Sequence, residues 1–268
     1  MDSANEWSGE CLYCRRRAPA RGVEHVTPEA LGAHGWTLPR GAVCDRCNSG
    51  VLSKLDQAVA AHPHIGAVLM LWNVPGKGGR LRERSGMLAR IDGAPVIAPP
   101  ARWIERTEVD HRARTIKVGI ATPPEFRTDL FRRGLYKIAL NALAAEDGLE
   151  AALSPRLDRV RAYVIRPNDR NELLPYVQRT PPPARQIPPV AVSRCTDGHR
   201  NAFALWLLAG EFFVDLSAPE SIAATVRSTD PEGGEHSFTF HGTDGRVGNW
   251  DGTEAQPFDP RRMVRFPS

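Results

Sequence analysis

Four cysteines stand as two Cys-x-x-Cys pairs, Cys11/Cys14 and Cys44/Cys47. A two-residue spacer lets both thiolates of a pair reach one tetrahedral ion, and two pairs fill all four corners. A zinc with sulfur at every position has no place for substrate, so it contributes folding energy rather than catalysis. The chemistry then falls to residues placed by that scaffold: Glu24-His25 between the pairs, and Asn48 directly after Cys47. A carboxylate suits a hard divalent cation such as Mg²⁺, and an amide oxygen can be its second ligand. A neutral imidazole can take a proton from water near neutral pH. Together they form a minimal set for one-metal hydrolysis of a phosphodiester. Each has a plainer reading beside it. Glu24-His25 can be a structural pair, and Asn48 can be a helix N-cap. Arg15, Arg16 and Arg46 can touch phosphate or can simply be solvated charges at turns.

In combination, Cys-x-x-Cys, Glu-His-x-x-Pro-x-x-Leu-Gly and Cys-x-x-Cys-Asn resemble the zinc-knuckle branch of the HNH endonucleases. The resemblance covers roughly Cys11 to Asp56. It implies a ββα-metal fold with Cys11, Cys14, Cys44 and Cys47 on a structural zinc. It also implies Glu24 and Asn48 on a catalytic divalent metal, with Asp commoner at the first position, and His25 as general base. The implied activity is hydrolysis of DNA to 5′-phosphate ends. One position departs from the pattern. The family's middle asparagine lies nine residues before the final ligand, and that position is Pro39 here. Proline carries no side-chain amide, so another group must orient His25. The alternative function is a non-catalytic zinc-knuckle module that binds nucleic acid or protein.

Several elements must position these residues. Gly22–Val26 and Ala42–Cys44 read as short extended pieces. Pro28–Leu31 reads as one helical turn with Thr27 as its N-cap. A helix is expected from Asn48 through Leu52, Leu55 and Val59, whose spacing shares one face. His62-Pro63-His64 ends it, as a helix terminus rather than a ligand pair. Ile65–Trp72 is apolar on all sides and reads as a buried helix or strand. Residues 76–122 look β-rich, with extended candidates at Met87–Ile91, Trp103–Val109 and Thr115–Ile120. Asp92-Gly93 is a hairpin signal. Phe126–Glu146 has a helical stripe ahead of Gly148. Arg159–Arg166 reads as a strand. Val190–Arg194, Ala202–Ala209 and Phe212–Leu216 read as antiparallel strands, and Ser237–Phe240 as a further β segment. The fold class is therefore α+β, a small zinc-bound ββα-metal module followed by a larger mixed, β-rich region. The expected division is a nuclease-like module at 1–60, a basic α+β part at 61–180 and a Pro-bounded, acidic β-rich part at 181–268.

The charge is unevenly spread. Residues 1–75 are neutral, 76–137 carry +7, 138–192 carry +1 and 193–268 carry −4. A basic middle suits a polyanionic partner such as DNA. The apolar run Ile65–Trp72 is far shorter than the ~20 residues of a membrane helix. The N-terminus lacks a basic segment followed by an apolar one. These features suggest a cytoplasmic protein without a membrane partner. Its thiols would stay reduced, favouring metal over disulfides, and Cys195 would be a lone buried thiol.

Overall fold

A computed structural model describes residues 7, 9–32, 35–75, 79–81, 84–85, 88–97, 104–110, 115–120, 128–165, 173–180, 190–195, 201–208, 210–229, 237–243 and 247–249. After the first cysteine knuckle comes a short antiparallel pairing. Leu38 N donates to Glu24 O at 2.8 Å and Val26 N to Trp36 O at 3.0 Å, which sets His25 opposite Thr37. The second arm is therefore 36–38 rather than the expected Ala42–Cys44. Ala42 pairs instead with the first cysteine knuckle, its carbonyl accepting from Leu12 N at 2.9 Å. The turn Glu29–Leu31 is a 3-10 helix capped at Pro28 without a side-chain bond, and Gly32 at φ 86° closes it. Thr27 does not cap that turn.

Three segments then run on as one helix: α1 (Asp45–Cys47), a π turn at Asn48–Leu52 and α2 (Ser53–Ala60). The helix starts three residues before the expected point, because Cys47 N and Asn48 N both donate to Cys44 O at 3.0 Å. Leu52, Leu55 and Val59 are buried as their spacing requires. The apolar run after His62 is a helix, α3 (Pro63–Leu71), with proline in its first turn. Next, β1 (Arg84–Ser85), β2 (Leu88–Ile91) and β3 (Ala94–Ile97) form an antiparallel sheet. Its β2–β3 turn has Asp92 at φ 50° and Gly93 at φ 83°, the two left-handed positions of a type I′ hairpin. A separate ribbon pairs β4 (Ile104–Asp110) with β5 (Thr115–Ile120).

The longest helix, α4 (Thr128–Asp147), matches its sequence pattern. It is followed by α5 (Leu149–Ala152) and α6 (Asp158–Ile165). The last of these corrects the expected strand at Arg159–Arg166. Leu157, Val160 and Val164 are buried at helical spacing. The buried Arg161 reaches back to the carbonyls of Ala152, Leu153 and Ser154, which end the preceding helix.

A second sheet contains β6 (Tyr176–Thr180), β7 (Ala191–Arg194), β8 (Ala202–Trp206) and β9 (Glu211–Asp215). After α7 (Ile222–Thr229), β10 (Ser237–His241) and β11 (Val247–Asn249) complete it. The order is β11-β10-β6-β9-β8-β7, and every pair is antiparallel. The strands expected around 190–216 and 237–240 are all present.

One buried cluster runs from Cys11 through α4 to Leu216. It crosses both boundaries expected at 60/61 and 180/181, and the second of these falls between paired strands of one sheet. The helix α4 crosses α2 closely at Gly134. A Cβ there would meet Val59 Cγ2 at 2.4 Å and Leu55 O at 3.2 Å. Among the described residues, no helix is long and apolar enough to cross a membrane.

Candidate functional site

The four sulfurs of Cys11, Cys14, Cys44 and Cys47 lie within 4.8 Å of one another. Cys14 Sγ and Cys44 Sγ are 3.7 Å apart. A tetrahedron with zinc–sulfur bonds of ~2.3 Å has edges of about 3.8 Å, so the set fits a zinc ion. Cys44 N donates to Cys11 Sγ at 3.4 Å, tying the two knuckles together. The hydrogen bond from Cys47 lowers Cys11 to about 4, favouring the thiolate, which is the form that ligates metal. The same contact raises Cys47. The first knuckle turns sharply at Arg15, a non-glycine residue at φ 59° whose N–H bonds Cys11 O at 3.0 Å. Cys195 is buried and forms no disulfide.

The helix that leaves the second knuckle docks on the first arm of the hairpin. Asp45 Oδ1 accepts from Arg21 N at 2.8 Å and Gly22 N at 3.3 Å. Asn48 Nδ2 donates to Val23 O at 3.4 Å. Gly22 leaves room for that amide, since a Cβ there would lie 3.2 Å from Asn48 Nδ2. Asn48 is thus seated beside the acid–histidine pair. It is not an N-cap, because Cys44 holds that position without a side-chain bond.

Glu24 is buried, and α4 holds it. Lys137 Nζ lies 2.5 Å from Glu24 Oε1 and 2.7 Å from Asp56 Oδ1. Asn141, one turn further along α4, donates its Nδ2 to Glu24 Oε1 at 3.1 Å and to His25 O at 3.0 Å. Lys137 Nζ also reaches His25 O at 3.5 Å. Tyr13 OH, between the cysteines of the first knuckle, donates to Asn141 Oδ1 at 2.6 Å. Both contacts to the Glu24 carboxylate fall on Oε1. His25 is half-buried, and its Nδ1 is buried without a protein partner.

The charges in this cluster pull against their burial. Desolvation raises Glu24 above the usual carboxylate range despite the nearby Lys137 ammonium, and the Asp56 carboxylate adds to the rise. Burial acts to lower Lys137, but Glu24 and Asp56 together hold it above the usual lysine value. The ammonium therefore stays charged between two carboxylates.

The expected nucleic-acid contacts divide. Arg15 is committed to Glu10 Oε2 at 2.7 Å and to Leu153 O at 2.6 Å. Arg16 and Arg46 are exposed. In the basic middle of the chain, the side chains of Arg106 and Lys117 lie outside the description. Arg132 and Arg133 are buried and donate to backbone carbonyls.

Sequence reading missed Tyr13, Asp45, Asp56, Lys137 and Asn141. Asp56, on the helix after the second knuckle, pairs with Lys137 at 2.7 Å. The available signal was on α4, where Arg133, Lys137 and Asn141 form a polar row at four-residue spacing beside the apolar stripe. A buried polar row needs partners. His62 is also buried, its ring tilted against Phe131 at 4.4 Å, and it stands at the N-cap of α3, which fits its reading as a helix terminus. No family model matches this chain, and neither a curated protein nor a solved structure is detectably similar to it.

Proposed function

We propose that the N-terminal module is an HNH-type endonuclease that hydrolyses DNA phosphodiester bonds. The observation that carries this reading is the docking of Asn48 on Val23 O, directly beside Glu24 and His25. The Nδ2 end of its amide is used by that bond, so Oδ1 would be the ligand atom. Glu24 Oε2 takes no part in the contacts with Lys137 and Asn141. Glu24 and Asn48 would hold the divalent cation. Bound there, a cation such as Mg²⁺ would offset charge on the scissile phosphate and the leaving oxygen. His25 would accept a proton from the attacking water. The brace absent at Pro39 is supplied across the fold by Asn141, whose amide fixes both the Glu24 carboxylate and the His25 backbone. The four-cysteine zinc would hold the helix start against the hairpin.

Supercoiled plasmid DNA tests this directly. The wild type should nick it with Mg²⁺ and stop on addition of EDTA. His25→Ala should lose on the order of 10²-fold or more in rate, as for other general bases. Equal nicking by His25→Ala and wild type would overturn the assignment.

A second reading has one observation in its favour. Lys137 already supplies a cation to Glu24, at 2.5 Å. A module whose acid is neutralised in this way would bind without cleaving. Salt-dependent DNA binding with no nicking under any divalent metal would favour it.

A further inference from the structure

From the charge and shape around the cysteine cluster, we infer that a recess beside it docks the phosphate backbone of a nucleic acid. The recess has a volume of about 810 Å³, and Cys14, Cys44 and Cys47 form part of its wall. Five basic side chains line it, Arg16, Arg17, Arg46, Lys54 and Arg133, and no aspartate or glutamate does. Glu24, His25 and Asn48 are not among its lining residues, so it is a surface separate from the candidate working site.

What sets this surface apart is that four outer cations share one recess whose lining holds no acid. Arg16, Arg17, Arg46 and Lys54 are exposed and make no ion pair among the described residues. Some exposed or half-exposed arginines of the described residues find acids, whereas Arg21, Arg80 and Arg156 stand without one but line no such recess. Arg159 lies 2.6 Å from Glu220, and Arg194 lies 2.8 Å from both Glu146 and Asp147. Arg15, next to Arg16 in sequence, is held by Glu10 at 2.7 Å. Beneath the recess Arg133 is fixed by Val164 O, which accepts from Nε at 3.1 Å and Nη2 at 2.7 Å. The thiolates do not account for the cations. A zinc held by four thiolates carries two negative charges, fewer than the positive charges around it.

The spacing selects the occupant. Arg46 and Lys54 lie eight residues apart on one continuous helix, about 12 Å at the usual rise. Arg16 and Arg17 approach from the first knuckle. A single phosphate meets one or two of these groups, whereas a chain of phosphates meets all of them. A flat lipid surface does not enter a concave recess. A nucleic-acid backbone fits both the shape and the row of cations.

This inference rests on the nucleic-acid reading of the module but not on cleavage. It is tested with the full chain carrying His25→Ala, in Mg²⁺-free buffer, on a short labelled DNA duplex. Binding is measured over a range of salt concentrations. Adding Arg46→Ala with Lys54→Ala should weaken binding about tenfold at low salt and reduce the slope of log K against log salt by about two. Arg16→Ala with Arg17→Ala should do the same, and Arg15→Ala should change neither quantity. Unchanged zinc content and circular dichroism establish that the variants are folded. Unchanged slopes in both double variants would overturn the proposal, as would an equal loss in Arg15→Ala. So would binding to phosphatidylserine vesicles, but not to DNA, that depends on these four residues. A wild type that fails to nick plasmid would contradict the catalytic reading while leaving this result to stand by itself.

Discussion

The two directions in which α4 sends its buried polar side chains differ in kind. Toward the C-terminal sheet and α6 they meet neutral backbone groups. Arg132 donates to Gly242 O at 2.7 Å, Arg133 to Val164 O, and Tyr136 OH to Pro175 O at 2.6 Å. Toward the cysteine module, Lys137 and Asn141 meet two carboxylates and the backbone of His25. Carbonyl partners satisfy buried donors without adding a second buried charge. A buried cluster of opposite charges is a poor way to stabilise a fold, because desolvation offsets most of its attraction. Its occurrence on the side that carries His25 points to a positioning role there.

The largest way to break that contrast is to disable the four-cysteine cluster that could hold zinc. Structural zinc in small modules is worth roughly 10–16 kcal/mol of apparent binding energy. Cys44→Ser should therefore cost amide-exchange protection throughout residues 11–60 while the sheet from β6 to β9 keeps its own. Hydrogen exchange read by mass spectrometry checks this, and equal loss in the sheet would dissolve the distinction. Lys137→Met comes next. Methionine keeps most of the stem and removes the charge, leaving Glu24 buried without its counter-ion. A loss of ~3–5 kcal/mol is expected by denaturant titration. A change below about 1 kcal/mol would show that the cluster is already hydrated.

Gly134→Ala separates packing from helix propensity. Alanine improves an isolated helix by about 1 kcal/mol. Here its Cβ would meet Val59 Cγ2 at 2.4 Å, and Leu55 O limits the retreat. Overpacking should win, for a net destabilisation of about 1–2 kcal/mol in thermal unfolding. An effect absent at neutral pH lies on the sheet side. His241 is stacked on Tyr176 at 4.1 Å, and burial together with the nearby Arg132 lowers it from 6.5 to about 3. An unfolded histidine takes up a proton below its ordinary value, whereas the folded one resists it. Stability is thus full above pH 6.5 and falls as pH drops toward about 3. His241→Phe should flatten that acid limb and leave the neutral-pH behaviour of Lys137 variants unchanged.

How much of this was legible depended on whether the signal was local. The Cys-x-x-Cys spacing, the Asp92-Gly93 turn and the stripe of α4 are short-range patterns, and each forms as its residues require. The strands around 190–216 were legible for the same reason. The hairpin's second arm was not, because 36–38 is chosen by pairing with Glu24 and Val26, and Ala42 is taken by the knuckle. For α6, the run Arg-Ala-Tyr-Val-Ile-Arg looks extended in isolation, but the helix lets Arg161 reach the end of α5. Cys11, Cys14, Cys44 and Cys47 could be named as one cluster from their spacing, with Glu24, His25 and Asn48 as candidates beside it. Their brace could not, since Lys137 and Asn141 lie more than a hundred residues away. Nothing local marks a lysine as the partner of a distant carboxylate.

The most direct test of the central claim is divalent-cation binding at the hairpin, with Mn²⁺ as probe, by calorimetry and electron paramagnetic resonance on zinc-loaded protein. The account predicts one site, weakened ~10–100-fold by Glu24→Gln and by Asn48→Ala with zinc content unchanged. No Mn²⁺ binding, or binding indifferent to both substitutions, would contradict it.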